Sequence, residues 1–105
     1  MPENASTQMS YDDKNLYATL SGEIDHHTAK AIRRELDEQM CRFRPMVSVL
    51  NLKQVSFMDS SGVGLVMGRY RQMKLLGGAL RVKNYSDSVY RIFAMSGLEA
   101  LGVLQ

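Results

Sequence analysis

Ser56-Phe57-Met58-Asp59-Ser60-Ser61-Gly62-Val63-Gly64 decides the fold, because a strand pattern gives way to a helical one inside it. Before it, Val47-Ser48-Val49-Leu50-Asn51-Leu52 is an apolar run of strand length; after it, Val63, Val66, Tyr70 and Met73 recur at helical spacing. The two serines therefore stand at a helix N-terminus, where unpaired backbone N–H groups and the positive end of the helix dipole favour a phosphate. The glycine beside Ser61 leaves its hydroxyl accessible, which makes Ser61 a candidate switch residue. Asp59 and Ser60 are also residue types that cap helices, and capping alone is a sufficient reason for either.

Upstream, Leu16 to Leu20 alternates as a half-buried strand, and Met9 to Tyr11 is expected to pair with it across the turn Asp12-Asp13-Lys14-Asn15. Met1 to Gln8 is read as a flexible start or an edge-strand start. Asp25 offers an N-cap to a helix that buries Ala29, Ile32, Leu36 and Met40 and keeps Arg33, Arg34, Asp37 and Glu38 in solvent. Pro45 ends that connection, and Val47 to Leu52 follows as a central strand, expected to be apolar on both faces. A second helix is predicted from about Ser60 to Leu76, released by Gly77-Gly78, then a strand over Ala79 to Lys83. Ser86-Asp87 can cap a third helix carrying Val89, Ile92 and Phe93 and ending near Gly97, after which Leu101-Gly102-Val103-Leu104 reads equally as a short strand or a docked apolar tail. No repeat or linker interrupts the pattern, so residues 1–105 are read as one domain of mixed α/β class.

Composition excludes several function classes. Thirteen basic and eleven acidic residues leave a net charge of +2, too balanced for a nucleic-acid footprint. The polar start lacks an apolar signal core, and no run is long enough to span a bilayer. One cysteine, Cys41, rules out an internal disulfide and reads as a cytosolic thiol. Serine, histidine and aspartate are all present, but no Gly-x-Ser-x-Gly elbow surrounds Ser60 or Ser61, and no base or oxyanion site is specified. Gly62-Val63-Gly64 opens a helix after a strand, yet the dinucleotide pattern fails at Met67 and no phosphate loop occurs elsewhere. His26 and His27 are adjacent and point apart, with only Asp25 or Asp59 as further ligands, so no metal site is expected.

The segments Leu20-Ser21-Gly22-Glu23-Ile24-Asp25-His26-His27-Thr28-Ala29 and Phe57 to Tyr70 resemble the anti-sigma factor antagonists of spore-forming bacteria, which belong to the STAS family. Val49-Leu50-Asn51-Leu52, Gly77-Gly78 and Arg91-Ile92-Phe93-Ala94-Met95-Ser96-Gly97-Leu98 match in family order, so the resemblance runs from Leu16 to Leu98. Val63 replaces a more usual leucine, and the sporulation members continue past the position of Gln105 into a further helical segment. The resemblance implies a single STAS domain with a mixed, mostly parallel sheet and helices packed on it. It also implies a cytoplasmic protein, monomeric when free, that binds an anti-sigma factor serine kinase and releases a sporulation sigma factor. The kinase inactivates such a protein by phosphorylating one serine, which falls on Ser61, and a serine phosphatase restores it. ATP and magnesium belong to the kinase; no cofactor, nucleic acid or membrane is expected. The same switch in a general stress sigma pathway is the alternative. Expected partner-binding residues are Asp25, His26, His27, Met58, Asp59, Ser60, Ser61 and Gly62, with Arg69 from a basic group that includes Arg71 and Lys74.

Overall fold

The strand leading to the serines, β3, runs through Val47–Met58, six residues beyond the apolar run that first marks it. Past Leu52 the buried positions are Val55 and Met58, spaced by three rather than two, which is why alternation alone ends the strand too early. A computed structural model describes residues 5–105 of the chain. In it β1 (Ala5–Tyr11) and β2 (Asn15–Ile24) form an antiparallel hairpin, and β2, β3 and β4 (Ala79–Lys83) run parallel, in the order β1-β2-β3-β4. The opening strand is thus longer than Met9 to Tyr11: Ala5 to Gln8 belong to it, while Met1–Asn4 lie outside the described residues. Its turn is closed by Asp12, whose Oδ1 accepts the Lys14 and Asn15 amides at 3.1 and 2.9 Å.

Each parallel step needs a crossover. Helix α1 (His26–Phe43) connects β2 to β3, and α2 (Ser61–Leu75) connects β3 to β4. Right-handed crossovers that step in one direction place both helices on one face of the sheet. The burial agrees: Leu16, Ala18 and Leu20 of β2, Leu50 and Leu52 of β3, and Leu80 and Val82 of β4 form one core with Ile32, Leu36 and Met40 of α1 and Val66 and Met73 of α2. The expectation of a central strand apolar on both faces is therefore corrected. Only the face bearing Ser48, Leu50 and Leu52 is buried, and Val47, Val49 and Asn51 on the other are half-buried.

The predicted third helix is α3 (Asp87–Ser96), capped by Ser86, whose hydroxyl accepts the Val89 amide at 3.2 Å, and ended by Gly97 at φ 82°. A 3₁₀ turn, Leu98–Leu101, then returns the chain to the sheet. Both readings of the tail hold in part. Val103 is buried, and Leu104 bridges Val82 in parallel, with Val82 N–H donating to Val103 O at 2.8 Å and Gln105 N–H to Val82 O at 2.9 Å.

Candidate functional site

Parallel pairing of β2 with β3 brings two strand-to-helix junctions side by side. Ile24 is in register with Met58, after two register shifts in which β3 carries the extra residue, one opposite Thr19–Ser21 and one opposite Gly22–Glu23; Gly22 has φ 90°. The Asp59 amide then donates to Ile24 O at 3.1 Å, so Asp25 and Asp59 leave neighbouring strands at the same edge.

Both carboxylates are turned to backbone. Asp25 Oδ1 accepts the amides of His27 and Thr28, each at 2.9 Å, and the Thr28 hydroxyl accepts the Asp25 amide at 3.0 Å, completing a capping box. These bonds, the Thr28 amide first, hold the Asp25 carboxyl below its usual range. At the second junction Asp59, one residue before the N-cap Ser60, does the capping: its Oδ1 accepts the Ser61 amide at 2.8 Å. Ser60 makes no side-chain cap bond. The Gly62 amide donates to Asp59 O at 3.0 Å and the Val63 amide to Ser60 O at 3.1 Å. The free N–H groups expected at this helix end are therefore already engaged at Ser61, Gly62 and Val63, because the chain tightens on itself as it enters α2.

The hydroxyls of Ser60 and Ser61 make no hydrogen bond to another described residue. Ser60 is exposed; Ser61 is half-buried and lines a groove of about 280 Å³ between α1 and α2, together with His26, Ala29, Lys30, Arg33, Gly64 and Leu65. Of the two histidines only His26 reaches this groove, although His27 is also exposed. Lys30 and Arg33 were not among the sequence-derived site residues. The signal was present all the same: His26, Lys30 and Arg33 are spaced by four and three, one stripe of a helix.

Three residues expected to meet a partner, Met58, Gly62 and Arg69, are buried in the chain by itself. Met58 is 4% exposed and Gly62 is buried against it, so close that a β-carbon on Gly62 would overlap the Met58 thioether. This pair anchors the serine turn to the core from beneath. Arg69 is 6% exposed, and its Nε lies 2.7 Å from Asp37 Oδ1, so it clamps α2 to α1 and offers no free charge at the surface. Asp37, expected in solvent, is half-buried for the same reason. Burial holds the Arg69 guanidinium below its usual value; Asp37 opposes that and nearby Arg33 adds to it. Arg71 and Lys74 remain exposed.

Among the described residues no helix is long and apolar enough to cross a membrane, and no three His, Cys, Asp or Glu side chains gather as a metal site. The anti-sigma F factor antagonist of Paenibacillus polymyxa is 40% identical over 95 residues, 90% of this chain and 81% of that protein. The anti-sigma-B factor antagonist of Bacillus subtilis is 31% identical, over 91% of this chain and 86% of its own length. Among solved structures, the anti-sigma factor antagonist SpoIIAA in its unphosphorylated form superposes with a TM-score of 0.84 at 32% identity, covering 95% of this chain and 86% of that one. The phosphorylated form of the Bacillus protein gives 0.75 at 31% identity, covering 95% and 89%. The family model described as STAS domain matches residues 7–103, and the chain belongs to the STAS family, among its anti-sigma factor antagonists.

Proposed function

We propose that this chain is an anti-anti-sigma factor switched by phosphorylation of Ser61. Unphosphorylated, it binds an anti-sigma factor that is also a serine kinase and so frees a sporulation sigma factor. Phosphorylated, it is inert until a serine phosphatase removes the group. The chain is a substrate rather than an enzyme: it carries no cofactor, and ATP and magnesium act on the kinase. It works in the cytoplasm, as a monomer when free, without touching nucleic acid or membrane. Asp25, His26, His27, Asp59 and Ser60 belong with Ser61 to the partner-facing edge, while Met58 and Gly62 support that edge from below.

One observation carries this reading: the Ser61 hydroxyl is unengaged and opens on a groove, while the backbone around it is pinned by Asp59 above and by Gly62 on Met58 below. A kinase can reach such a hydroxyl, and a phosphate there does not have to enter the core. The group adds roughly 1.5 to 2 negative charges beside the Asp59 carboxylate. A partner packed over the hydroxyl would have to desolvate them. A penalty of about 3 to 4 kcal/mol lowers affinity by a few hundredfold, enough to dissolve a micromolar complex. The likeness to SpoIIAA in both its unphosphorylated and phosphorylated forms supports a switch that leaves the fold in place.

The same device in a general stress pathway is the second reading, supported by the likeness to the anti-sigma-B antagonist; we take sporulation first on the higher identity to an anti-sigma F antagonist, 40% against 31%. The test is site-resolved mass spectrometry after incubation with the anti-sigma F kinase and ATP. One phosphate on wild type and on Ser60→Ala, with none on Ser61→Ala, is expected. No phosphate on any form, with the kinase active on another substrate, would refute the sporulation assignment.

A further inference from the structure

The groove beside Ser61 is lined on its α1 side by His26, Lys30 and Arg33 and on its α2 side by Ser61, Gly64 and Leu65. Gly64 adds no side chain to that wall, and a β-carbon built there would meet nothing within 4 Å. At about 280 Å³ the groove has room for several waters, so a phosphoryl group fits in it.

The charged side chains that line it, Lys30 and Arg33, are both basic. Among the described residues the single ion pair is Arg69 with Asp37, so neither Lys30 nor Arg33 is neutralised by a carboxylate. Deeper in the same helix seam, Arg69 Nη1 is buried without a hydrogen-bond partner, and Arg33 acts on that guanidinium as a like charge. The carboxylates of the two junctions, Asp25 and Asp59, do not line the groove, and each turns Oδ1 to backbone amides, those of His27 and Thr28 and that of Ser61. The α2 terminus offers little to an anion in its first turn, since the amides of Ser61, Gly62 and Val63 have acceptors already. Surplus positive charge on α1 thus faces a hydroxyl whose own helix cannot hold a phosphate well.

We propose that this groove is the receptor for the phosphoryl group on Ser61, with Lys30 and Arg33 as its ligands and His26 at the rim. The proposal rests on Ser61 being the modified residue and adds what the modification does inside the molecule. Phosphorylation then changes the partner-facing edge twice: it installs a dianion and withdraws two cations that the unphosphorylated protein presents. It also ties α1 to α2 through a charge-assisted contact.

The test uses full-length protein carrying phosphoserine at position 61, inserted during translation so that no kinase is required. The ³¹P resonance is titrated with pH in wild type, in Lys30→Gln/Arg33→Gln, and in Arg34→Gln as a control on the exposed side of α1. A phosphoserine in an unstructured peptide titrates near pH 6. The receptor lowers the wild-type midpoint by about one unit, as opposite charges within a few ångströms do, and the double variant returns to the peptide value while the control does not move. Both exchanged side chains are exposed, so the variants keep the wild-type circular dichroism. A wild-type midpoint at or above the peptide value, or the same midpoint in wild type and double variant, would overturn the proposal. A lowered midpoint in a protein whose Ser61 the kinase ignores would support the receptor and sink the switch; kinase modification with an unshifted midpoint would do the reverse.

Discussion

Replacing Asp37 with alanine should be among the most damaging polar substitutions in this chain. Arg69 lies in the α1–α2 seam with its side chain 7% exposed, and the Asp37 carboxylate at 2.7 Å is its one ionic partner among the described residues. Removing one member of a buried pair typically costs about 3 to 5 kcal/mol, because the other charge stays desolvated. The Asp37 side chain is 36% exposed, so water reaches part of the site, and the expected loss falls to about 2 to 3 kcal/mol. Arg33 works in the same direction, since it repels the guanidinium once Asp37 is gone. Arg69→Met removes the buried charge together with its desolvation cost and should lose no more than about 1 kcal/mol. The double variant Asp37→Ala/Arg69→Met should then resemble Arg69→Met, giving a coupling of about 2 kcal/mol. Urea unfolding of the four proteins by circular dichroism measures all of these, and for a domain of this size Asp37→Ala should melt about 10 to 20 °C below wild type. An Asp37→Ala protein within about 0.5 kcal/mol of wild type, or a double variant no more stable than Asp37→Ala, would refute the claim that Arg69 is held by this pair rather than by packing.

Gly78→Ala should destabilise by about 1 to 3 kcal/mol, because the new methyl would lie 2.7 Å from Met46 O and 2.9 Å from Pro45 O, both backbone atoms with no freedom to move aside. Thermal melts read this directly, and an unchanged melting temperature would show that the β4 entrance can shift. The acid limb of stability should carry a contribution from Asp25. Its folded value lies below the unfolded value of 3.8, so the stabilisation is fully present above that pH and is lost as pH falls through the lower folded value. Asn at this position still caps but does not titrate, so Asp25→Asn should flatten the stability profile below about pH 4 without changing it at neutrality. A profile identical to wild type in acid would show that the capping bonds do not favour the carboxylate.

Most of the scaffold was legible because its signals are local. Asp25 followed three residues later by Thr28 writes a capping box, and Ile32, Leu36 and Met40 write the buried stripe of α1. Ser86 and Gly97 bracket α3 in the same way. What escaped depends on how separate elements settle against one another. Asp37 and Arg69 look like any charged residues on helix surfaces. They become a buried pair only because α1 and α2 run parallel, with Arg33 near Leu65, Asp37 on Arg69 and Cys41 on Gln72. The basic side chains of the groove were hidden for the same reason, since Lys30 and Arg33 read as a solvated face until Ser61 is placed across from them. The second half of β3 was missed because its buried positions change spacing after Leu52, where β3 carries extra residues against β2.

The two serines differ less in accessibility than in what a phosphate would meet at each. Ser60 is the more exposed, and by reach alone it would be the better substrate. Its backbone is αR at φ −62° and ψ −16°, and it stands outside the residues that line the groove. A phosphate there would meet water and no basic side chain of the groove, while the Asp59 carboxylate and the bonded helix amides are neighbours that both serines share. One residue later the helical rotation of about 100° carries the hydroxyl to the α1 side, toward Lys30 and Arg33. The same rotation sets Gly62 on Met58, where a side chain would require the Met58 thioether to move aside within the core. Asp59, Ser61 and Gly62 therefore act as one unit. The aspartate fixes the first amide and the glycine lets the turn lie close on Met58, which leaves the Ser61 hydroxyl free on the groove side of the junction.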